Sequence, residues 1–462
     1  MTAARQPSPT EPLVVVGAGP IGLAAAAHAH ARGLPTVVLE AGGEAGASVR
    51  EWGHVRLFSA WRELVDPVAE RLLADTGWVA PDPDTYPDGD EWVDRYLAPL
   101  AAALDATDLV EVRLDSRVVG VAKQGRDRLV DSGREEAVFT VHVESGGVRR
   151  RLLAAAVVDA SGTWTGPNPL GTDGLPALGE AEHADRIFYG IPDLSDPRVR
   201  ERYAGKHVAV AGRGASAQNT LVGLAGLADA GTTVSWLLRR AGTADAFGGG
   251  DNDQLEARGA LGKRAERAVA GEHVRVVTSF RTAEVVGGDD GRLTLVDADG
   301  RSVTGVDEVV VVTGFRPDLT WLSEVRLDLD PVLSSPTTLA PLIDPNVHSC
   351  GTVYPHGVAE LAQPEQGLYL AGMKSYGRAP SFLALTGFEQ TRSIVAAIAG
   401  DHEAAARVEL VLPESGVCGG SGQFDGVPTE ASGGCCGPVE PQLVTIGAPT
   451  QATGGGCGPS CG

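Results

Sequence analysis

Val14-Val15-Val16-Gly17-Ala18-Gly19-Pro20-Ile21-Gly22 and Val208-Ala209-Val210-Ala211-Gly212-Arg213-Gly214-Ala215-Ser216-Ala217 are two versions of one pattern. Each is an apolar run, then a Gly-x-Gly turn, then the start of a small-residue helix. The first glycine permits a tight turn, and the second lets the backbone approach a pyrophosphate. The third position must be small so that helix and strand pack closely. Unpaired amides and the positive dipole end at the helix start then face the phosphates. One such loop is a weak signal. Two, each set between strand and helix, predict two dinucleotide sites on an α/β chain.

Working outward from the first loop, Leu13 to Val16, Gly22 to Ala31 and Thr36 to Leu39 read as strand, helix and strand. Glu40 closes that second strand about 20 residues past the loop, the place for a carboxylate that bonds ribose hydroxyls. His207 to Arg240 reads as a second such unit, with Ala217 in place of the third glycine. No acid ends its second strand, where Ser235-Trp236-Leu237-Leu238-Arg239-Arg240 stands instead. A carboxylate there would repel a ribose phosphate and an arginine would pair with it. Arg239 and Arg240 therefore favour NADPH over NADH, one of the two being a solvated strand end. Gln218 and Asn219 are candidates to hydrogen-bond the same cofactor; a helix cap or helix surface is the alternative for either.

The rest of the chain alternates in the same way. Asp90 to Leu104 has helical spacing, and Leu109 to Val121 and Ala137 to Val143 read as strands of a smaller sheet. Leu152 to Val158 is a buried strand ending at Asp159-Ala160-Ser161-Gly162. Gly248 to Asp251 reads as a flexible joint, Val309 to Val312 and Leu368 to Ala371 as buried strands, and Gly387 to Ala399 as a helix. The two strand–helix–strand units are the only duplication visible. After Pro413 the chain is rich in Gly, Pro, Ser and Thr without periodicity, the composition of a disordered tail.

The 462 residues suffice for two or three domains with sizeable cores. The net charge of -22 repels phosphate backbones, so nucleic acid is excluded as a partner. No apolar run approaches the length of a membrane span, and Met1 to Pro12 has no apolar signal core. The expectation is a soluble cytoplasmic protein with reduced thiols. The oligomeric state stays open, a homodimer being one option.

In these features the chain resembles flavin-containing monooxygenases, within the two-dinucleotide flavoproteins, across about residues 12 to 400. Beside the loops, the likeness rests on Asp159-Ala160-Ser161-Gly162-Thr163-Trp164 and Val312-Thr313-Gly314-Phe315-Arg316-Pro317-Asp318. These look like the segments by which such chains cross between their two domains. The resemblance implies an α/β fold: a Rossmann-like FAD domain (12–169 and 321–412), an inserted NAD(P)H domain (170–320) and a Gly/Cys-rich tail (413–462). It places FAD against Gly17, Gly19, Pro20, Ile21, Gly22 and Glu40, with Trp52, Trp61, Val118, Ser161, Gly162, Gly372, Met373, Phe382 and Thr386 nearby. Plain core packing is the alternative for the two tryptophans. NADPH falls to Gly212, Gly214, Ala215, Ser216, Ala217, Gln218, Asn219, Arg239 and Arg240, with Thr313, Gly314 and Phe315 at the crossover. In this family NADPH reduces FAD, which activates O2 and passes one oxygen atom to a soft nucleophile in a small-molecule substrate. Two departures stand out. Ala177 replaces the Phe of ketone-oxygenating relatives, whose Gly-x-x-x-His stretch Gly179-Glu180-Ala181-Glu182-His183 partly matches. Met373 replaces the Asp of disulfide reductases.

Cys350, Cys418, Cys435, Cys436, Cys457 and Cys461 are the six cysteines, and five lie beyond Pro413. No Cys-x-x-Cys pair precedes Pro413 to take electrons from a flavin, which argues against a disulfide reductase. Cys350, flanked by His348 and His356, is a candidate for a thiophilic substrate or a buried structural residue. Thiolates on a Gly-rich tail suit a soft ion such as As(III), or zinc, although the spacing fits no zinc ribbon. The Cys-rich tail and Gly372-Met373-Lys374-Ser375-Tyr376-Gly377-Arg378 resemble actinobacterial flavoproteins linked to arsenic resistance. An arsenic(III) or organoarsenic substrate follows as the specific expectation. The alternatives are an NADPH-dependent flavin reductase passing electrons through Cys350 and the tail thiols, and a metalloid-binding sensor or chaperone.

Overall fold

Apolar runs without alternation bury both faces of a strand, and here they build two parallel sheets. The first holds β1 (Leu13–Val16), β2 (Thr36–Leu39), β3 (Val110–Arg113), β7 (Ala156–Asp159) and β16 (Leu368–Leu370) in the order β16-β7-β1-β2-β3. The second holds β8 (Ile187–Tyr189), β9 (His207–Ala211), β10 (Thr233–Leu237), β11 (Val274–Val277) and β15 (Glu308–Val311) in the order β11-β10-β9-β15-β8. Every pairing in both is parallel. β1, β2, β7 and β15 are buried at every residue. This architecture comes from a computed structural model that describes residues 5–243, 246–248, 250, 253, 255–347, 355–379 and 382–410.

Each parallel sheet carries the same excursion. β4 (Arg117–Lys123), β5 (Phe139–Ser145) and β6 (Val148–Ala154) form an antiparallel sheet between β3 and β7. β12 (Thr282–Gly287), β13 (Leu293–Asp297) and β14 (Ser302–Val306) do so between β11 and β15. The duplication therefore extends well past the two strand–helix–strand units. The halves differ in their outer strand: β16 follows β7 in the chain, whereas β8 precedes β9.

Two strand expectations are corrected. Leu109 to Val121 is not one strand, because Asp115 turns the chain with φ 48°. Val110–Arg113 joins β2 in the large sheet, and Arg117–Lys123 starts the small one. Leu152 to Val158 likewise divides at Ala155 between β6 and β7. Short apolar runs carry no mark of the sheet they will enter.

α1 (Pro20–Ala31) starts with Pro20 in its first turn and Gly19 as its N-cap, without a side-chain cap. That leaves its first amides free for a ligand. Its small residues let α3 (Ala384–Ile398) pack closely against it. α2 (Ala215–Ala225) is the counterpart of α1, with Gly214 as its N-cap. Residues 89–105 are helical as expected, with a π-helical stretch at Val93–Leu97. Among the described residues no helix is long and apolar enough to cross a membrane.

Candidate functional site

The first Gly-x-Gly loop and the start of the helix that follows the second open on one cavity of about 890 Å³. It lies beyond the carboxyl ends of the first sheet's strands, where open α/β sheets bind ligands. Gly17, Gly19, Pro20 and Ile21 come from the first loop, Glu40 from the end of β2, and Ala215, Ser216 and Asn219 from α2.

The glycines sort into two kinds. Gly17 has φ 98°, and a Cβ there would sit 2.9 Å from the Ala160 carbonyl oxygen. A Cβ on Gly22 would sit 1.8 Å from the Gly17 oxygen, and one on Gly212 (φ 140°) 2.4 Å from the Val312 oxygen. The fold itself demands these three. Gly19 and Gly214 have ordinary φ values of -79° and -74°, and a Cβ on either would meet nothing within 4 Å. The protein does not need glycine there, and glycine carries an entropic cost. A group lying over the helix N-terminus explains both, and a dinucleotide pyrophosphate fits that cradle. Gly19→Leu is therefore expected to leave the circular dichroism spectrum unchanged while FAD affinity falls by about 100-fold or more, because the side chain occupies the phosphate position. Undiminished flavin content in the purified variant would refute it.

Glu40 is buried, and both its oxygens accept backbone hydrogen bonds. Oε2 takes the Ala18 N–H at 2.7 Å and Oε1 the Gly42 N–H at 2.8 Å. The carboxylate thus holds the loop in shape and keeps lone pairs for a further donor.

The two crossover segments form a ribbon between the sheets. The Asn168 N–H donates to the Gly314 carbonyl at 2.9 Å, and the Arg316 N–H to the Gly166 carbonyl at 2.7 Å. The Asn168 amide donates to the Thr313 carbonyl at 2.9 Å, and Arg316 Nε to Asn168 Oδ1 at 2.6 Å. Trp164 and Phe315 face each other across it with ring centroids 4.9 Å apart. Ser161, Gly162, Trp164 and Phe315 reach the cavity; Thr313 and Gly314 serve the ribbon.

Lys374 ties this ribbon to the end of β16. It is 1% exposed and borders the cavity. Its ammonium donates to Ser161 Oγ at 3.0 Å and the Asp318 carbonyl at 2.6 Å, and lies 3.4 Å from Asp159 Oδ2. Asp159 is fully buried, and its Oδ1 accepts from the Ser161 amide and hydroxyl. Burial pushes the Asp318 carboxyl up, but the Thr320 hydroxyl and amide and the Lys374 charge hold it below its ordinary value.

Trp52, Val118, Met373 and Phe382 also line the cavity. Trp61 does not: it is 2% exposed in the core, with the Arg95 guanidinium 5.5 Å from its ring. Thr386 is buried within α3, and Ala217 within α2. Gln218 is buried as well and spends its amide on the Ala246 carbonyl at 2.6 Å. Asn219 borders the cavity but donates to the Ala215 carbonyl one turn back. Arg239 and Arg240 follow β10, outside the cavity wall, and neither is without a partner. The Gly179–His183 stretch proves structural. Glu180 accepts the amides of Leu170, Gly171 and Ala177 and the Tyr189 hydroxyl. Cys350 and the five tail cysteines lie outside the described residues. Sequence reasoning assigned nothing to Asp159 and Lys374. The signal was there: an acid closing an apolar run, and a lysine between buried glycine-flanked residues.

The sequence profile of the pyridine nucleotide-disulphide oxidoreductases matches residues 14–349. The chain belongs to that family. This pyridine nucleotide-disulphide oxidoreductase family member is a flavin-dependent oxidoreductase with FAD and NAD(P)H as its cofactors. Ferredoxin–NADP reductase 1 of Cupriavidus necator is 27% identical over 332 residues, 71% of this chain and 77% of the relative. Among solved structures, a bacillithiol disulfide reductase of Bacillus cereus superposes with a TM-score of 0.60 at 19% identity, covering 84% of this chain and 99% of that one. The FAD-bound cadaverine monooxygenase of Erwinia amylovora gives 0.57 at 15% identity, covering 91% and 98%. At such identities the likeness is one of fold.

Proposed function

We propose that this protein is an NADPH- and FAD-dependent monooxygenase that places one oxygen atom on a soft heteroatom of a small molecule, an arsenic(III) species being the first candidate. The balance is substrate, O2, NADPH and a proton giving oxygenated substrate, NADP+ and water. One observation carries the reading: the first nucleotide loop and the N-terminus of α2 border a single cavity, while residues 14–349, the family segment, contain no cysteine. Nicotinamide and flavin can then meet, and that segment offers no dithiol to take the electrons. FAD supplies the two-electron chemistry and oxygen activation when bound. The chain's own residues bind and orient. The α1 and α2 N-termini take the pyrophosphates, Glu40 the ribose, and Trp52, Trp164 and Phe315 keep water from the reacting end.

The arsenic assignment rests on the chemistry of the tail cysteines, whose thiolates suit a soft ion. The test supplies 18O2 and NADPH with arsenite, a methylated trivalent arsenical or a thioether in turn. One labelled oxygen per product and one NADPH per turnover is the expected result. NADPH oxidation without label in any product would sink the reading. The outcome would then favour the reductase that the ferredoxin–NADP reductase likeness supports, with electrons handed to an outside carrier or through Cys350 and the tail thiols. Replacing the five tail cysteines separates those routes, since turnover is lost only if the thiols carry electrons.

The preference for NADPH is proposed to lie in Arg239 and Arg240. Replacing both with Ala is expected to raise KM for NADPH by about tenfold or more and leave KM for NADH nearly unchanged. Equal effects on both cofactors would remove the pair from phosphate recognition.

A further inference from the structure

The turn Gly372–Tyr376, which brings Gly372, Met373 and Lys374 to the cofactor cavity, is held from behind by one side chain of α3. Gln390 Oε1 accepts the Gly372 N–H at 2.7 Å. Gln390 Nε2 lies 3.0 Å from Ser375 Oγ and 2.8 Å from His356 Nε2. Ser375 Oγ in turn donates to the Gly372 carbonyl at 2.8 Å. Gln390 and Ser375 are fully buried, and His356 is 2% exposed.

The protons follow from this network. A backbone N–H can only donate, so the Gln390 atom facing Gly372 is the oxygen. The amide nitrogen then faces Ser375 and His356 and spends its two hydrogens on them. His356 Nε2 is therefore an acceptor, and the ring is neutral with its proton on Nδ1. A second proton would set an N–H against an N–H at the 2.8 Å separation. Turning the amide over gives no relief, because its NH2 would then face the Gly372 N–H.

The charged groups on the surrounding elements are engaged elsewhere or lie in solvent. Glu360, on the short helix Val358–Leu361, accepts the Gly357 amide at 2.8 Å. On α3, Glu389 is bound to Arg392 at 2.6 Å. Lys374 is tied to Asp159, Ser161 and Asp318. His402 and Glu403, on the helix His402–Ala406 that packs against Val358–Leu361, are exposed. The Tyr376 ring lies against His356 with centroids 5.6 Å apart, and burial pushes its hydroxyl up, so it stays protonated.

The turn also touches the first nucleotide loop. A Cβ on Gly372 would lie 3.0 Å from Ile21 Cγ1, and one on Gly387 2.3 Å from Ile21 Cδ1. Ile21 is thus seated between the turn and α3, in the first turn of α1, whose amides face the pyrophosphate.

We infer that Gln390 and His356 are positioning residues for FAD, and that their hold on the turn requires a neutral His356. Protonation breaks the Gln390 bond to His356 or to Gly372, loosens the turn against Ile21 and weakens FAD binding. The loosened form takes the proton more readily. The hold is therefore complete above the ordinary histidine value of about 6.5 and is lost as the pH falls below it.

The test dilutes the full-length holoprotein into buffers from about pH 8 to about pH 5.5, where ordinary carboxylates stay ionised, and reads released FAD by its fluorescence. Wild-type affinity is expected to fall about tenfold across this range, the worth of one buried hydrogen bond. His356→Gln offers Gln390 an acceptor that cannot titrate, and is expected to hold FAD equally at both ends. Gln390→Glu accepts from both the Gly372 amide and an imidazolium, and is expected to reverse the trend. In the wild type near neutral pH, nitrogen-15 histidine spectra are expected to show the Nδ1–H tautomer for the resonance that His356→Gln removes. A flat wild-type profile overturns the proposal, as does an unchanged slope in His356→Gln or an Nε2–H tautomer. If His356→Gln does not fold, Gln390→Glu decides, and a slope equal to the wild type's counts against. Cofactor retention is the readout, so the result stands apart from the reaction the flavin performs.

Discussion

Lys374→Met is expected to yield little folded, FAD-loaded protein. The substitution fills much the same volume but strips the counter-charge from Asp159, which is fully buried. Breaking a buried pair from one side costs about 3–5 kcal/mol, out of the roughly 5–15 kcal/mol that holds a typical domain together. Three segments lose their shared tie at once: the end of β7 at Asp159 and Ser161, the second crossover at Asp318, and the turn after β16. Because Ser161, Asp318 and Lys374 all line the cavity, flavin retention should fall with stability. Urea unfolding and the flavin-to-protein absorbance ratio read the two effects. Lys374→Met combined with Asp159→Asn should recover part of the stability, because the orphaned charge is gone while Asn still accepts from Ser161. Wild-type stability and flavin content in the single variant would show that the tie is dispensable.

Gly22→Ala is expected to abolish FAD binding. The added Cβ would lie 1.8 Å from the Gly17 carbonyl oxygen, a backbone atom of the loop itself. Relief requires α1 to move off β1 or the turn at Gly17 to open, and either displaces the amides that face the pyrophosphate. The corresponding position of the second loop already holds Ala217, fully buried in α2. The same motif therefore tolerates a methyl group in one half and not in the other. Fluorescence titration of the apoprotein with FAD checks the first loop, and an affinity within tenfold of the wild type would overturn the prediction.

The contrast between the loops marks what local sequence can say. Gly17, Gly22 and Gly212 were legible because a tight turn and a close approach are properties of a few neighbouring residues. The place of Glu40 at the end of β2 was legible from spacing, since helix and strand each have a fixed rise per residue. The structure added that its carboxylate also holds the Ala18 and Gly42 amides. Trp52 and Trp61 were not separable by sequence. They are nine residues apart in one aromatic-rich segment, yet one borders the cavity and the other lies in the core beneath Arg95.

Nor could sequence relate Asp159 to Lys374, which stand far apart in the chain and meet only because β7 and β16 are neighbours in the sheet. The matching antiparallel excursions were hidden for a similar reason. Strand pairing needs only compatible faces, so two such sheets can share a place in the fold without sharing a motif.

By itself the sequence determined the number of dinucleotide loops, the α/β class and the residues that shape each loop. Those follow from backbone sterics and short-range periodicity. Only the tertiary structure decided that the first loop and the helix start after the second share one cavity, and that a buried lysine and aspartate lock the crossovers beneath it. These depend on which distant segments pack together. That choice is made by burial of apolar faces over the whole chain, which no local pattern records.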